Sequence, residues 1–97
     1  MPVYVMLTHL SPDAVKAPAE LKKLERAVSD RVRNELSEVK WKASFGVLGP
    51  CDYLDIFEAP DEAAAARVAM IVRSFGHART EIWTALPWEK FEQIVPA

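Results

Sequence analysis

Residues 39–58 read VKWKASFGVLGPCDYLDIFE, and the way this stretch divides decides the fold. In its first half Val39, Trp41, Ala43, Phe45 and Val47 alternate with Lys40, Lys42, Ser44 and Gly46, the period of a strand with one wet face. Gly49-Pro50 interrupts the run, because proline has no N–H to give a ladder and glycine suits a turn. A further strand follows from Cys51 to Glu58, in which Leu54 and Ile56 oppose Tyr53, Asp55 and Phe57. The short break predicts an antiparallel hairpin made of Val39–Leu48 and Cys51–Glu58.

Working outward, a helix is predicted on either side of that hairpin. Upstream, from Pro18 to about Ser37, Leu21, Leu24, Val28, Val32 and Leu36 form one apolar stripe on an otherwise charged surface. Arg26 with Asp30 and Arg31 with Glu35 are i,i+4 pairs, each worth a few tenths of a kcal/mol. Downstream, Pro60-Asp61 opens a second helix with Asp61 as its N-cap, and Gly76 stands at the C′ position after Phe75. Its stripe is Ala64, Val68, Ile71, Val72 and Phe75, and most of the remaining surface is alanine, the composition of a helix covered on more than one side.

Two further strands complete the pattern. Val3–Thr8 (VYVMLT) is apolar on both faces, as a central covered strand would be, and Ala78–Leu86 supplies the last. A terminal helix over Pro87–Val95 carries Trp88, Phe91 and Ile94, which are expected to dock on the body. The order is β-α-β-β-α-β, the ferredoxin-like α+β sandwich with both helices on one sheet face. Tyr4, Met6, Phe57 and Trp83 are assigned to the other face, too much apolar surface to leave in water, so a second copy of the chain is the expected cover.

Composition narrows the function. The 97 residues, 51% of them hydrophobic, suit one folded domain and exclude disorder. A single cysteine excludes a disulfide framework. No run of ~18 apolar residues offers a membrane span, and Met1-Pro2-Val3-Tyr4-Val5 lacks the basic and apolar regions of a signal peptide, so a cytoplasmic setting is expected. Twelve basic against 14 acidic side chains leave a net charge of −2, and the bases of the first helix are interleaved with acids, so neither nucleic acid nor a membrane is expected as a partner. Gly46-Val47-Leu48-Gly49 lacks the lysine and following helix of a phosphate loop, and no cofactor is expected.

Several landmarks together resemble the GYD family: PVYVMLT at the start, Gly49-Pro50-Cys51-Asp52, Glu58-Ala59-Pro60-Asp61 before an alanine-rich helix, and Arg79-Thr80-Glu81 leading to Ala85. The resemblance runs from about residue 2 to 91. It implies a dimeric α+β barrel, two ferredoxin-like sheets packed face to face. The family's Gly-x-Tyr-Asp-like element has Cys51 at its tyrosine position here, with Tyr53 two residues later. Related barrels include enzymes, haem-handling proteins and binding modules, so the fold does not choose among functions.

The candidate ligand-binding residues are His9, Asp55, His77 and Arg79. Strands one and three are taken to run parallel, with two and four against them. His9 and His77 then become neighbours, with Arg79 and Glu58 at the same end of the sheet. Two imidazoles and a carboxylate can bind a metal or move protons near neutral pH, although neither histidine sits in a metal-ligand spacing, and solvated loop histidines are the plainer reading. Asp55 lies mid-strand beside Tyr53 and Phe57 and is expected to face the partner sheet, either in a wet pocket or paired with Lys40, Lys42 or Arg79. Asp52 is expected to cap the turn after Gly49-Pro50, and Cys51 to be a buried, inert thiol. The reading these residues support is a homo-oligomeric barrel that binds a small molecule between its sheets. The alternatives are a cofactor-independent or haem-dependent enzyme using the same four residues, and an assembly subunit joined through the alanine-rich helix.

Overall fold

A computed structural model describes all residues from 1 to 97. The chain forms β1 (Val3–Leu10), a single 3-10 turn (Ala14–Lys16), α1 (Pro18–Glu35), β2 (Lys40–Gly46), β3 (Tyr53–Glu58), α2 (Glu62–Ser74), β4 (Ala78–Ala85) and α3 (Trp88–Ile94). The four strands make one sheet in the order β2-β3-β1-β4, every neighbouring pair antiparallel. The element order matches the sequence reading, but strand direction does not: β1 and β3 run against each other. A helical crossover returns β2 parallel to β1, and the hairpin then turns β3 back, so β3 opposes both.

The hairpin differs from expectation at both its loop and its pleat. Six residues, Val47 to Asp52, separate the strands, closed by a 3.0 Å bond from the Val47 N–H to the Asp52 carbonyl. Asp52 does not cap its own turn. Its carboxylate accepts the Leu10 N–H at 2.8 Å, and its N–H donates to the Thr8 carbonyl at 2.9 Å, so it pins the loop to the end of β1. In β2 the register slips between Trp41 and Ala43, a bulge at Lys42. Trp41 pairs with Phe57 whereas Ala43 pairs with Ile56, so the extra residue puts Trp41 and Phe45 on opposite faces.

The helices cover the face carrying Tyr4, Met6, Thr8, Asp55 and Phe57, which reverses the sequence assignment of Tyr4, Met6, Asp55 and Phe57, whereas Trp83 lies on the other face as assigned. Tyr4, Met6 and Phe57 join Val28, Val32 and Leu36 of the α1 segment and Ala64, Ala65, Val68, Ile71 and Val72 of α2 in one buried cluster. Phe57, fully buried, stacks between Tyr4 (5.8 Å between ring centroids) and Trp41 (5.2 Å, 11° between planes). Asp61 accepts the Ala64 N–H at 2.9 Å as the predicted N-cap of α2, and Gly76 takes the left-handed φ of 78° that ends the helix. Ala65 and Ala69 face inward, so the exposed side of α2 is carried by Ala63, Ala66 and Met70 instead.

The other face of the sheet is open. Cross-strand partners share a face, which groups Val5 with Ile56 and Trp83, and Leu7 with Leu54, Glu81 and, across β3, Phe45. Trp83 is 55% exposed and Phe45 53%. Nor does α3 dock: none of its residues is buried, and Trp88, Phe91 and Ile94 all stand exposed, Trp88 stacked on Phe91 at 5.7 Å. The expected cover for these side chains is absent from the single chain. No helix is long and apolar enough to cross a membrane.

Candidate functional site

A cavity of about 760 Å³ lies beneath α1, over β1, β3 and β2. Its origin is the contrast between the two helices. α2 turns Ala64, Ala65 and Ala69 inward, and such small side chains let it lie close on β4. α1 turns the larger Val28, Val32 and Leu36 toward the sheet and approaches it less closely. The space left is walled by these residues and by Met6, Trp41 and Val72.

The polar groups of the cavity come from facing elements. Alternation along β3 presents Tyr53 and Asp55 to it, the bulge in β2 turns Trp41 and Ser44 the same way, and α1 contributes Glu25 and Ser29. The Trp41 indole N–H donates to Ser44 Oγ at 2.7 Å. Asp55 is half-buried with no basic side chain in ion-pair contact, and burial raises its carboxyl above the ordinary value of 3.8 while the polar side chains of Ser44 and Trp41 pull it back down. The Tyr53 hydroxyl is raised by burial first, then by the negative charges of Glu25, Asp52 and Asp55.

At the end of this groove Glu25 meets His77, Oε1 to Nε2 at 2.6 Å. The imidazole is buried, 5% exposed, with Phe75 edge-on at 6.4 Å and no partner for Nδ1. The pair ties α1 to the segment between α2 and β4. His9 lies elsewhere: it pairs in register with Arg79 on the open face, and its Nε2 is 2.9 Å from Glu81. The end of β1 and the start of β4 are adjacent, as the sequence suggested, yet the two histidines part there. His9 follows the pleat to the open face, whereas His77 precedes the β4 ladder and turns its ring under the helices to Glu25. Glu58 is at the far end, paired with Val3 and Lys40, with its carboxylate 3.8 Å from Lys42 Nζ.

The four candidate residues therefore divide in two. His9 and Arg79 belong to the open face, Asp55 and His77 to the helix-covered one. The histidines do not converge on a metal position, and nowhere do three ligating side chains gather. Cys51 is buried and free, as expected. Thr8, Glu25, Trp41, Ser44 and Tyr53 are among the cavity residues that sequence reasoning did not single out. Tyr53 was legible, sharing a face with Asp55, whereas Trp41 and Ser44 reach the cavity only through the bulge.

Comparison with known proteins agrees with the landmarks read from the sequence. The chain is 28% identical over 87 residues, 90% of either chain, to a protein of Thermus thermophilus named "Glutamine synthetase and cystathionine beta-lyase binding protein". The pattern that defines the GYD domain matches residues 4–95, covering both long helices, all four strands and the terminal segment. With nearly its whole length matched, the chain belongs to the GYD domain family.

Proposed function

We propose that this protein is a small binding module that works as a self-paired barrel, two copies bringing their open sheet faces together. The observation that carries the reading is the open face itself. Four strands spaced about 4.8 Å apart, at about 3.3 Å per residue, make a surface roughly 19 by 23 Å. It is tiled by Val3, Val5, Leu7, Leu54, Ile56, Phe45 and Trp83, at the scale of apolar patch that marks an interaction surface rather than free surface. The apolar side chains of α3 are a second unpartnered surface that a companion copy would cover. Facing sheets would also place His9, Glu81 and Arg79 of each copy at the ends of the inter-sheet space, where a small polar ligand would meet them. Sedimentation velocity at micromolar concentration tests the pairing. The expected species has twice the 10.9 kDa mass of one chain, and a monomer overturns the proposal.

A second reading adds a protein partner, and the Thermus thermophilus relative named for binding two enzymes favours it. In this reading the barrel docks on a larger enzyme by its remaining surface. Titration of the protein into glutamine synthetase and cystathionine beta-lyase from its own host, followed by calorimetry, would give saturable heats with at least one of them. Silence with both removes this second reading and leaves self-pairing untouched.

A further inference from the structure

Pairing through the open face leaves unused the cavity of about 760 Å³ beneath α1, which lies on the opposite side of the sheet. From its walls and charges we infer that the cavity beneath α1 is a binding site for a small apolar molecule with one cationic nitrogen, its charged end on Asp55 and its body against Trp41, Val28 and Leu36. At about 760 Å³ the space is within the range of small-molecule pockets, which are mostly apolar with a few convergent polar groups.

The sign of the ligand follows from which charges are already answered. Glu25 is engaged by His77 at 2.6 Å. Arg33, the single basic residue on the cavity wall, is turned to solvent, its guanidinium 3.5 Å from Asp30 and 3.3 Å from Ser29 Oγ. Asp55 alone faces the space half-buried and without a cation. A carboxylate in that position gains most from a cationic donor, which replaces the water it has lost. An anion would meet Asp55 and Glu25 with like charge, and a neutral molecule would leave the Asp55 charge with no counter-charge, only the polar side chains of Ser44 and Trp41 beside it. The aromatic rings of Trp41 and Tyr53 in the same wall suit an ammonium or amidinium group as well as an apolar body. Burial raises the Asp55 carboxyl, and a cation beside it would lower it again and hold it ionised. The groups facing Asp55 that titrate or carry charge are Tyr53 on its own strand and Glu25 and Arg33 from α1; β1, β2 and α2 present only uncharged residues, among them Met6, Thr8, Trp41, Ser44 and Val72. The site does not depend on pairing through the open face.

Three probes of one shape test the inference: phenethylammonium, its neutral counterpart 2-phenylethanol, and phenylacetate, each titrated into the protein by ¹⁵N–¹H correlation spectroscopy. Phenethylammonium is expected to saturate with shifts centred on Trp41, Ser44, Tyr53 and Asp55, and to bind at least about tenfold more tightly than the alcohol, the size of one charge-assisted hydrogen bond. Asp55→Asn is expected to abolish that advantage, and Ser29→Trp, which fills the mouth from α1, to block the cationic probe. Equal or tighter binding of the alcohol or phenylacetate overturns the inference. So does an unchanged affinity in Asp55→Asn, a map of shifts on Val5, Leu7 and Trp83, or no saturable shift at all. The comparison of probes on the native chain decides the sign of the ligand even where a variant does not fold.

Discussion

Replacing Phe57 tests the packing that supports both the core and the cavity wall. The ring is fully buried between Tyr4 and Trp41, with centroids at 5.8 and 5.2 Å. Phe57→Leu keeps most of the apolar volume and removes two aromatic pairs, each worth about 0.5–1.5 kcal/mol beyond area burial. The expected loss is about 1–3 kcal/mol, against about 3–5 kcal/mol for Phe57→Ala, which also opens a cavity. For a chain of 97 residues with a total stability on the order of 5–15 kcal/mol, the leucine variant folds and the alanine variant is marginal. Urea denaturation followed by far-ultraviolet circular dichroism reads this as a fall in midpoint of roughly 1 M for leucine, with the slope unchanged. A double-mutant cycle with Trp41→Leu isolates the stack: the coupling between the two positions is expected near ~1 kcal/mol. Additivity within about 0.3 kcal/mol, or a leucine variant as stable as the native chain, would refute the reasoning, because the stacked geometry would then contribute nothing.

Asp61→Ala removes the side chain that accepts the Ala64 N–H, and thermal unfolding is expected to report a loss of about 1 kcal/mol that Asp61→Ser largely restores. The Asp55 carboxyl is raised by burial, so the folded state holds its proton more tightly than the unfolded chain does, and stability from this group falls as pH rises through its folded value. Asp55→Asn is therefore expected to be more stable than the native chain at neutral pH, with the difference shrinking as pH falls toward 3.8; urea midpoints at several pH values check the trend, and a difference that grows on acidification contradicts it. Val5→Lys sets a charge at the centre of the open face, opposite Ile56 and Trp83. In a two-fold pair the change acts twice, so the lost transfer energy alone is about 3 kcal/mol and the dissociation constant should rise by a factor of at least ~100, measured by sedimentation over a dilution series.

How far the sequence carried depends on the kind of symmetry each question has. The helix spans, the Asp61 cap, the Gly76 stop and the β-α-β-β-α-β order all follow from local periodicity and turn chemistry, and these appear where the residues placed them. Two-residue alternation also sorted Tyr4 with Met6, and Tyr53 with Asp55 and Phe57. It says nothing about which set the helices will cover, because both faces of β1 are apolar and the pleat treats them alike. That choice belongs to packing, in which Tyr4, Met6 and Phe57 meet α1 and α2 while Val5, Leu7 and Ile56 are left open.

The candidate site was legible in proportion. Asp55 stood out as a charge inside an apolar strand, and it does line a cavity, but on the helix side. His77 and Glu25 are 52 residues apart, and no local pattern anticipates their 2.6 Å contact. Trp41 and Ser44 were hidden for a different reason, since the bulge at Lys42 is one extra residue whose cost and benefit are both settled by the neighbouring strand. The sequence by itself determined the elements, their ends, and the surplus of apolar surface on the sheet. Only the tertiary structure decided which face was buried and where a cavity opened, because both depend on how closely an alanine-lined α2 and a valine- and leucine-lined α1 can approach the same sheet.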